Sequence, residues 1–246
     1  MKALIFAAGL GTRLKPLTET VPKALVSVNG KPLLEHVILR LKNVGVSQII
    51  INIHHFPDEI INFVHSKQNF DIEIAFSDER DLLLDTGGGI KKASWFFNDG
   101  RPFFVHNVDI FSNVDLNKMY AAHLQSQALS TLFVSDRKTS RYLLFDTENR
   151  LAGWYNKQTE ETRPGNIEIN ASKYNQLAFN GIHIISPQIF SLMDNWQGKF
   201  SIIDFYLSTI HTSNIVSFQQ KDAMMIDVGK MDALQQVENS GLLRLG

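Results

Sequence analysis

Leu4-Ile5-Phe6-Ala7-Ala8-Gly9-Leu10-Gly11-Thr12-Arg13-Leu14-Lys15-Pro16-Leu17-Thr18, with Pro22-Lys23 after it, is the stretch on which the fold turns. An apolar run of the kind a buried strand needs stops at Ala7-Ala8-Gly9, and a glycine-bearing loop with an arginine begins. Glycines let backbone N–H groups approach a polyanion, and Arg13, Lys15 and Lys23 add positive charge. That chemistry suits a nucleoside triphosphate. Whether the loop transfers a phosphoryl-bearing group or only holds one depends on the rest of the chain.

Outward from this loop, strand-like and helix-like stretches alternate. Leu33, Leu34, Val37, Ile38, Leu41 and Val44 recur at three- and four-residue steps and predict a helix, ended by Gly45. Residues 48–53 form a continuous β-branched run, the pattern of a strand buried on both faces. Pro57 opens a helix carrying Ile60, Ile61 and Val64, and residues 70–76 alternate like a half-buried strand. Gly87-Gly88-Gly89 lead into a helix over 90–97, and a strand over 102–105 ends at His106-Asn107-Val108-Asp109. This order implies an α/β fold with a parallel sheet, right-handed crossovers and helices on both faces.

The second half predicts a helix over 115–125, a strand over 130–135 and a hairpin of 141–146 with 150–155. A polar excursion follows over 156–173, then a strand over 177–185 and helices over 187–193 and 201–210, the latter capped by Ser201. Strands over 215–218 and 224–226 precede a last helix over 231–238. With no linker and no repeat, the economical reading is one domain over 1–246 with an antiparallel accessory portion at about 140–185.

Composition narrows the function. Of 246 residues, 44% are hydrophobic and 20% charged, as in an ordinary globular protein, and the net charge of −1 argues against a broad nucleic-acid surface. The absence of cysteine excludes disulfides and thiolate metal sites, so any metal falls to Asp, Glu, His or water. The amino-terminal apolar run is too short for a secretory signal, and no run approaches the roughly 20 residues that span a bilayer. No membrane partner and a cytoplasmic location are the expectations.

In open α/β sheets, ligands sit beyond the carboxyl ends of the strands. Four polar clusters fall at such ends: the opening loop, Asp85-Thr86-Gly87-Gly88-Gly89, Asn107-Val108-Asp109 and Asp227-Val228-Gly229. A carboxylate directly after an apolar strand is expensive unless paired or ligating. Asp109 and Asp227 have that setting, and together with triphosphate oxygens they would complete a Mg²⁺ shell, although each alone is also an ordinary turn residue. The opening loop departs from the dinucleotide fingerprint, with Leu14 in place of the third glycine, and lacks the Gly-Lys-Ser/Thr ending of a P-loop.

The string from Ala7 to Thr18 with Pro22-Lys23 resembles the signature of sugar-1-phosphate nucleotidyltransferases, the nucleotide-sugar pyrophosphorylases. The supporting motifs follow in family order to Asp227-Val228-Gly229, so the resemblance covers nearly the whole chain. Length and the Thr-Gly-Gly-Gly run look most like N-acetylmuramate-1-phosphate uridylyltransferases, with mannose-1-phosphate guanylyltransferase-like proteins close behind. The resemblance implies a Rossmann-like nucleotide-diphospho-sugar transferase fold, without the hexapeptide-repeat β-helix that larger relatives append. It implies that Ala7, Ala8 and Gly9 meet base and ribose, that Gly11, Thr12 and Arg13 meet the phosphates, and that Lys23 bridges the α-phosphate and the sugar phosphate. Thr86, Gly87 and Gly88 resemble the base-contacting segment, and Asn107 joins the nucleotide site. Asp109 and Asp227 would hold Mg²⁺, while Asn180, Gly181 and Lys157 would serve the sugar phosphate. Two departures stand out: Val108 where relatives carry a small residue, and Asn156 and Gln158 flanking Lys157 in place of an acidic residue and proline.

The implied reaction is Mg²⁺-dependent transfer of a nucleotidyl group, UTP being the expected donor, onto a sugar 1-phosphate. An ionised phosphate oxygen needs no general base, so positioning and positive charge from Arg13 and Lys23 carry the chemistry. The alternatives are a GTP-using mannose-1-phosphate guanylyltransferase, a catalytically weakened nucleotide-sugar-binding regulatory homologue motivated by Val108, and a Rossmann oxidoreductase, disfavoured by the missing third glycine. Base choice would rest near Thr86 and sugar choice on loops such as 156–173. His54-His55 read as a strand-end pair rather than metal ligands, His106 as a neighbour of the metal, Trp95-Phe96-Phe97 as a helix end packed in the core, and residues 78–81 as a solvated loop.

Overall fold

The uninterrupted apolar runs become the middle of a sheet covered on both sides. The computed structural model of the protein describes residues 1–165, 173–229 and 231–240. Strand β1 (Lys2–Phe6) enters first, and a short hairpin of β2 (Ser27–Val28) and β3 (Lys31–Pro32) turns at Asn29-Gly30 before helix α1 (Leu33–Asn43). Strand β4 (Gln48–Ile53), helix α2 (Pro57–Ser66), strand β5 (Glu73–Asp78), helix α3 (Asp85–Lys92) and strand β6 (Phe103–Asn107) continue the alternation. The four long strands pair in parallel in the order β6-β1-β4-β5.

After β6 the sheet becomes mixed. Strand β7 (Ile110–Ser112) leaves the main sheet, helix α4 (Leu116–Ser126) follows with the Asp115 carboxylate accepting from the Lys118 N–H, and strand β8 (Ser130–Ser135) rejoins it. Strands β9 (Arg141–Phe145), β10 (Leu151–Asn156) and β11 (Glu161–Arg163) form an antiparallel meander. Strand β12 (Asn175–Ile185) pairs with β9 at its start, with β6 at its end and with β8 along much of its length. Its register shifts between Phe179 and His183, a bulge that contains Asn180 and Gly181. Helices α5 (Ile189–Leu192) and α6 (Ile202–Thr209), strand β13 (Ile215–Phe218) beside β8, strand β14 (Met225–Asp227) beside β7 and helix α7 (Met231–Asn239) complete the chain.

Side-chain alternation explains the two cores. Ala3, Ile5, Ile49, Ile51 and Phe104 face one layer with the apolar sides of α1, α2, α4 and α7. Leu4, Ile50, Phe103 and Val105 face the other with residues of α3, α5 and α6. Burial of this kind, at about 25 cal/mol per Å² of apolar surface, supplies the main driving force for folding. Ser201 caps α6 as its position predicts, its hydroxyl accepting from the Ile203 N–H.

Four local expectations are corrected. The glycine triplet lies inside α3, which starts at Asp85 rather than at Ile90, and a separate 3₁₀ turn over Ser94–Phe96 follows it. Strand β5 starts at Glu73, because Gln68–Asp71 forms a 3₁₀ turn. The polar excursion contains a strand, β11, while its residues 166–172 lie outside the described residues. Phe96 and Phe97 are buried as expected, but Trp95 is exposed.

Candidate active site

A cleft of about 400 Å³ opens where the parallel strands end, and Ala8, Gly9, Lys23, Thr86, Asn107 and Asp109 all line it. The opening loop reaches it because β1 stops in the middle of the sheet, with Ala7 N–H still donating to Asn52 O of the adjacent strand at 3.1 Å. Beyond Gly9 the chain folds back on itself. Gly11 O accepts from the Thr18 hydroxyl and the Leu14 N–H, both at 2.8 Å, which draws Thr12–Leu14 into a single 3₁₀ turn. Gly11 has φ +66°, and a Cβ there would meet Thr18 Cγ2 at 2.7 Å, so this glycine is required by the loop itself.

Lys23 and Asp109 form an ion pair across the cleft, their side chains 11% and 15% exposed. Asp109 is fixed by backbone on both sides: Val108 N–H donates to Phe6 O, and Asp109 O accepts from Val228 N–H at 2.8 Å. From below, Arg40 of α1 braces the same turn by donating to Ser112 Oγ and Val114 O. Asp227 ends β14 opposite Ile110 of β7, and Asp109 is the turn residue just before Ile110, so the pairing brings the two aspartates together although 117 residues of sequence lie between them. Val108 is buried and contributes to the cleft wall.

Arg13 leaves the cleft loop and lies against Gly229, where a Cβ would stand 2.6 Å from Arg13 Nη2 and 2.8 Å from Asp227 Oδ1. The amino-terminal loop and the carboxyl-terminal strand thus meet at one glycine, whose bare backbone makes room for the guanidinium. Gly229 N–H also donates to Asp227 Oδ1 at 2.8 Å, orienting that carboxylate.

The glycine triplet has a packing role. A Cβ on Gly87 would strike the Phe200 ring at 2.4 Å, one on Gly88 would strike Gly198 O at 2.5 Å, and one on Gly89 would strike Glu79 Oε1 at 2.9 Å. Gly87 and Gly88 donate their N–H groups to Phe200 O, and Thr86 Oγ1 accepts from Ile202 N–H, so this helix start is tied to the segment entering α6. Thr86 lines the cleft; Gly87 and Gly88 lie behind it.

Two cleft residues escaped the reading of the sequence. Glu79, expected in a solvated loop, is 1% exposed; its carboxylate accepts from Asn52 Nδ2 and from Leu84 N–H. Burial pushes this carboxyl above the usual range, and the donors from Leu84 and Asn52 moderate the shift. Asn52 Oδ1 has no partner among the described residues, although both residues line the cleft. The position of Glu79 directly after a strand, like that of Asp109, was the available signal. His54 donates its ring N–H to Glu79 O, and His106 is buried beneath the site, its imidazole pushed down to about 3 by desolvation and so neutral.

Asn180 and Gly181 lie in the β12 bulge behind the cleft, and neither lines it. Gly181 has φ +71° and packs where a Cβ would lie 2.8 Å from Asn107 Nδ2. Asn180 Oδ1 accepts from Ser135 Oγ and Arg137 Nε. Lys157 stands apart: it is exposed just after β10, with its N–H on Ser140 O, and does not line the cleft.

Comparison with known proteins agrees with this geometry. The family model described as nucleotidyl transferase matches residues 2–242. The chain is 30% identical to the N-acetylmuramate alpha-1-phosphate uridylyltransferase of Neisseria meningitidis serogroup B, covering 97% of each sequence. It is 31% identical to the enzyme of that name from Caulobacter vibrioides, over 83% of this chain and 82% of that one. Among solved structures, HddC from Yersinia pseudotuberculosis complexed with GMP-PN superposes with a TM-score of 0.76 at 25% identity, covering 97% and 98% of the two chains. Among the described residues no helix is long and apolar enough to cross a membrane. Matched by the family model over residues 2–242 and by these relatives over most of its length, the chain belongs to the nucleotidyl transferase family and is a nucleotidyltransferase acting on sugar 1-phosphates.

Proposed function

We propose that the protein transfers a uridylyl group from UTP to a sugar 1-phosphate in a Mg²⁺-dependent reaction, releasing pyrophosphate. The observation that carries this reading is the convergence of Lys23, Asp109, Arg13 and Asp227 from three distant parts of the chain. Support for uridine as the base comes from the cleft floor. Glu79 and the unpartnered Asn52 Oδ1 offer acceptors to a base that presents an N–H, as uracil and guanine do and as the ring nitrogens of cytosine and adenine do not. The two relatives named for uridylyl transfer favour uracil.

The donor set suits Mg²⁺. Asp109, in the turn just before β7, and Asp227, at the end of the paired strand β14, are hard oxygen ligands, and no group of three or more metal-ligating side chains occurs among the described residues. An ion held by two carboxylates completes its shell with phosphate oxygens and water, the usual habit of Mg²⁺ in nucleotide sites. When bound, it would supply charge neutralisation at the reacting phosphates. The protein's own cations do the rest. Lys23 must leave Asp109 and turn to the α-phosphate and the incoming sugar phosphate, whose mutual repulsion is the main barrier. Arg13 faces the leaving pyrophosphate from the Gly229 side. The attacking oxygen is already ionised, so no side chain needs to take a proton.

The test is a matrix of UTP, GTP, CTP and dTTP against several sugar 1-phosphates, scored by pyrophosphate release with and without Mg²⁺. Release with UTP above GTP, abolished by chelation, is the expected outcome. Preference for CTP would overturn the base assignment, and nucleotide binding without release would favour a regulatory protein.

A further inference from the structure

A second cleft of about 650 Å³ adjoins the first, with Asp85 lining both. It lies between the β9–β11 meander and α6, and its walls carry Tyr142, Trp154 and Phe179 beside Asn156, a mixture of flat apolar faces and amide suited to a sugar ring. Three arginines also line it, and their pairing differs. Arg163 is satisfied: it donates to Glu161 at 2.9 Å and Asp204 at 3.0 Å and lies 4.7 Å from the Trp154 ring. Among the described residues Arg137 donates only to neutral oxygens, Asn180 Oδ1 and Phe179 O, both at 3.1 Å. Arg141 forms no ion pair with any carboxylate of the described residues, and neither does Arg137. Among the described residues the only other acid lining the cleft, Asp85, accepts from Thr86 N–H.

The sugar 1-phosphate brings its phosphate to Lys23 in the first cleft, so the guanidiniums of the second are left over once that anion has been placed. We propose that Arg137 and Arg141 read a carboxylate on the sugar, making the acceptor an acidic sugar 1-phosphate; this rests on the nucleotidyl-transfer reading above. Arginine suits the task because its planar fork matches a carboxylate in two parallel hydrogen bonds. Arg137 is held for it by the β12 bulge: with Nε and one Nη2 hydrogen committed to Asn180 and Phe179, the end-on pair of Nη1 and Nη2 hydrogens is left for a ligand. The same contact fixes the Asn180 amide, since arginine only donates. Asn180 Nδ2, buried and without a partner among the described residues, therefore stands as a donor.

The test compares acidic with neutral acceptors at constant nucleotide: N-acetylmuramic acid 1-phosphate against N-acetylglucosamine 1-phosphate, and glucuronic acid 1-phosphate against glucose 1-phosphate. Native protein should favour the acidic member of one pair by at least about tenfold in kcat/KM, and Arg137→Gln and Arg141→Gln should each lower that ratio about tenfold to a hundredfold, chiefly through KM. Preference for the neutral member in both pairs overturns the inference while leaving nucleotidyl transfer intact. So does an equal loss on acidic and neutral acceptors in both variants, which would assign the arginines to the phosphate or to packing. Absence of pyrophosphate release from every acceptor with either UTP or GTP overturns the transfer reading, and this inference with it.

Discussion

The two clefts differ in how their charges are housed. In the first, Lys23 and Asp109 are almost entirely withdrawn from water, Lys23 at the start of a 3₁₀ turn and Asp109 in the β6–β7 turn, its backbone tied to Val228. In the second, Arg163, Glu161 and Asp204 are each 48% exposed, the first two on the edge strand of the meander and Asp204 on α6. A nearly buried pair is poised by the fold and leaves an uncompensated charge if one partner is removed. An exposed pair is screened by solvent and contributes little to stability, so its residues can change with the ligand at small structural cost. The first cleft therefore reads as the place of chemistry and the second as the place of choice between acceptors.

The strongest way to break this contrast is to remove the chemistry. Asp109→Ala and Lys23→Ala should each lower kcat by about a hundredfold to a thousandfold, the scale of losing one preorganised electrostatic group. Circular dichroism should show the fold retained at 25 °C. Near-normal pyrophosphate release by both variants would sink the assignment. A finer cut is Gly229→Ala. The new methyl group would displace the far end of Arg13, a flexible side chain, so Tm should hardly move while kcat falls about tenfold. A large fall in Tm with unchanged kcat would show that Gly229 serves the fold and not Arg13.

The same contrast governs what could be read from the chain. Most of the parallel half was legible because β1, β4 and β6 are apolar runs and α1 and α2 amphipathic ones, so β4 and the helix after Pro57 need no tertiary information. Arg13, Lys23, Asp109 and Asp227 were legible as strand-end charges within a family signature. Three features were not. The Gly87-Gly88-Gly89 run looks like a loop because glycine is a poor helix former; only the approach of Phe200, Gly198 and Glu79 explains it. Glu79 looks solvated because its neighbours Asp78, Arg80 and Asp81 are charged, yet it alone of the four is buried. Asn29-Gly30 is a strong hairpin signal, but it joins strands of two residues each, too short to show a period.

Glu79 sharpens the comparison through pH. Its carboxyl is raised in the folded protein, so the folded state holds its proton to higher pH than the unfolded chain does. The penalty is absent below the ordinary glutamate range, grows as pH rises through it, and is complete above the folded value. Glu79→Gln should accordingly raise Tm at pH 7–8 and leave it unchanged at the acid end. In the same variant, replacement of one carboxylate acceptor by an amide donor should weaken UTP, seen as a KM increase of about tenfold. A Tm gain that persists at low pH would assign the effect to packing instead of charge.

The smallest effect should come from the second cleft. Arg163→Gln removes an exposed network with Glu161 and Asp204 and a stacking contact on Trp154. Exposed pairs contribute less than about 1 kcal/mol, so chemical denaturation should show a change of that size or smaller, shrinking further in high salt. Glu161 and Asp204 would then face the cleft unneutralised, close to where Arg137 and Arg141 await an anion. An acidic acceptor should therefore bind more weakly while a neutral one is hardly affected, although Arg163 itself touches neither. If stability instead falls by several kcal/mol, the meander is a structural part of the sheet and the division between a rigid cleft and an adaptable one fails.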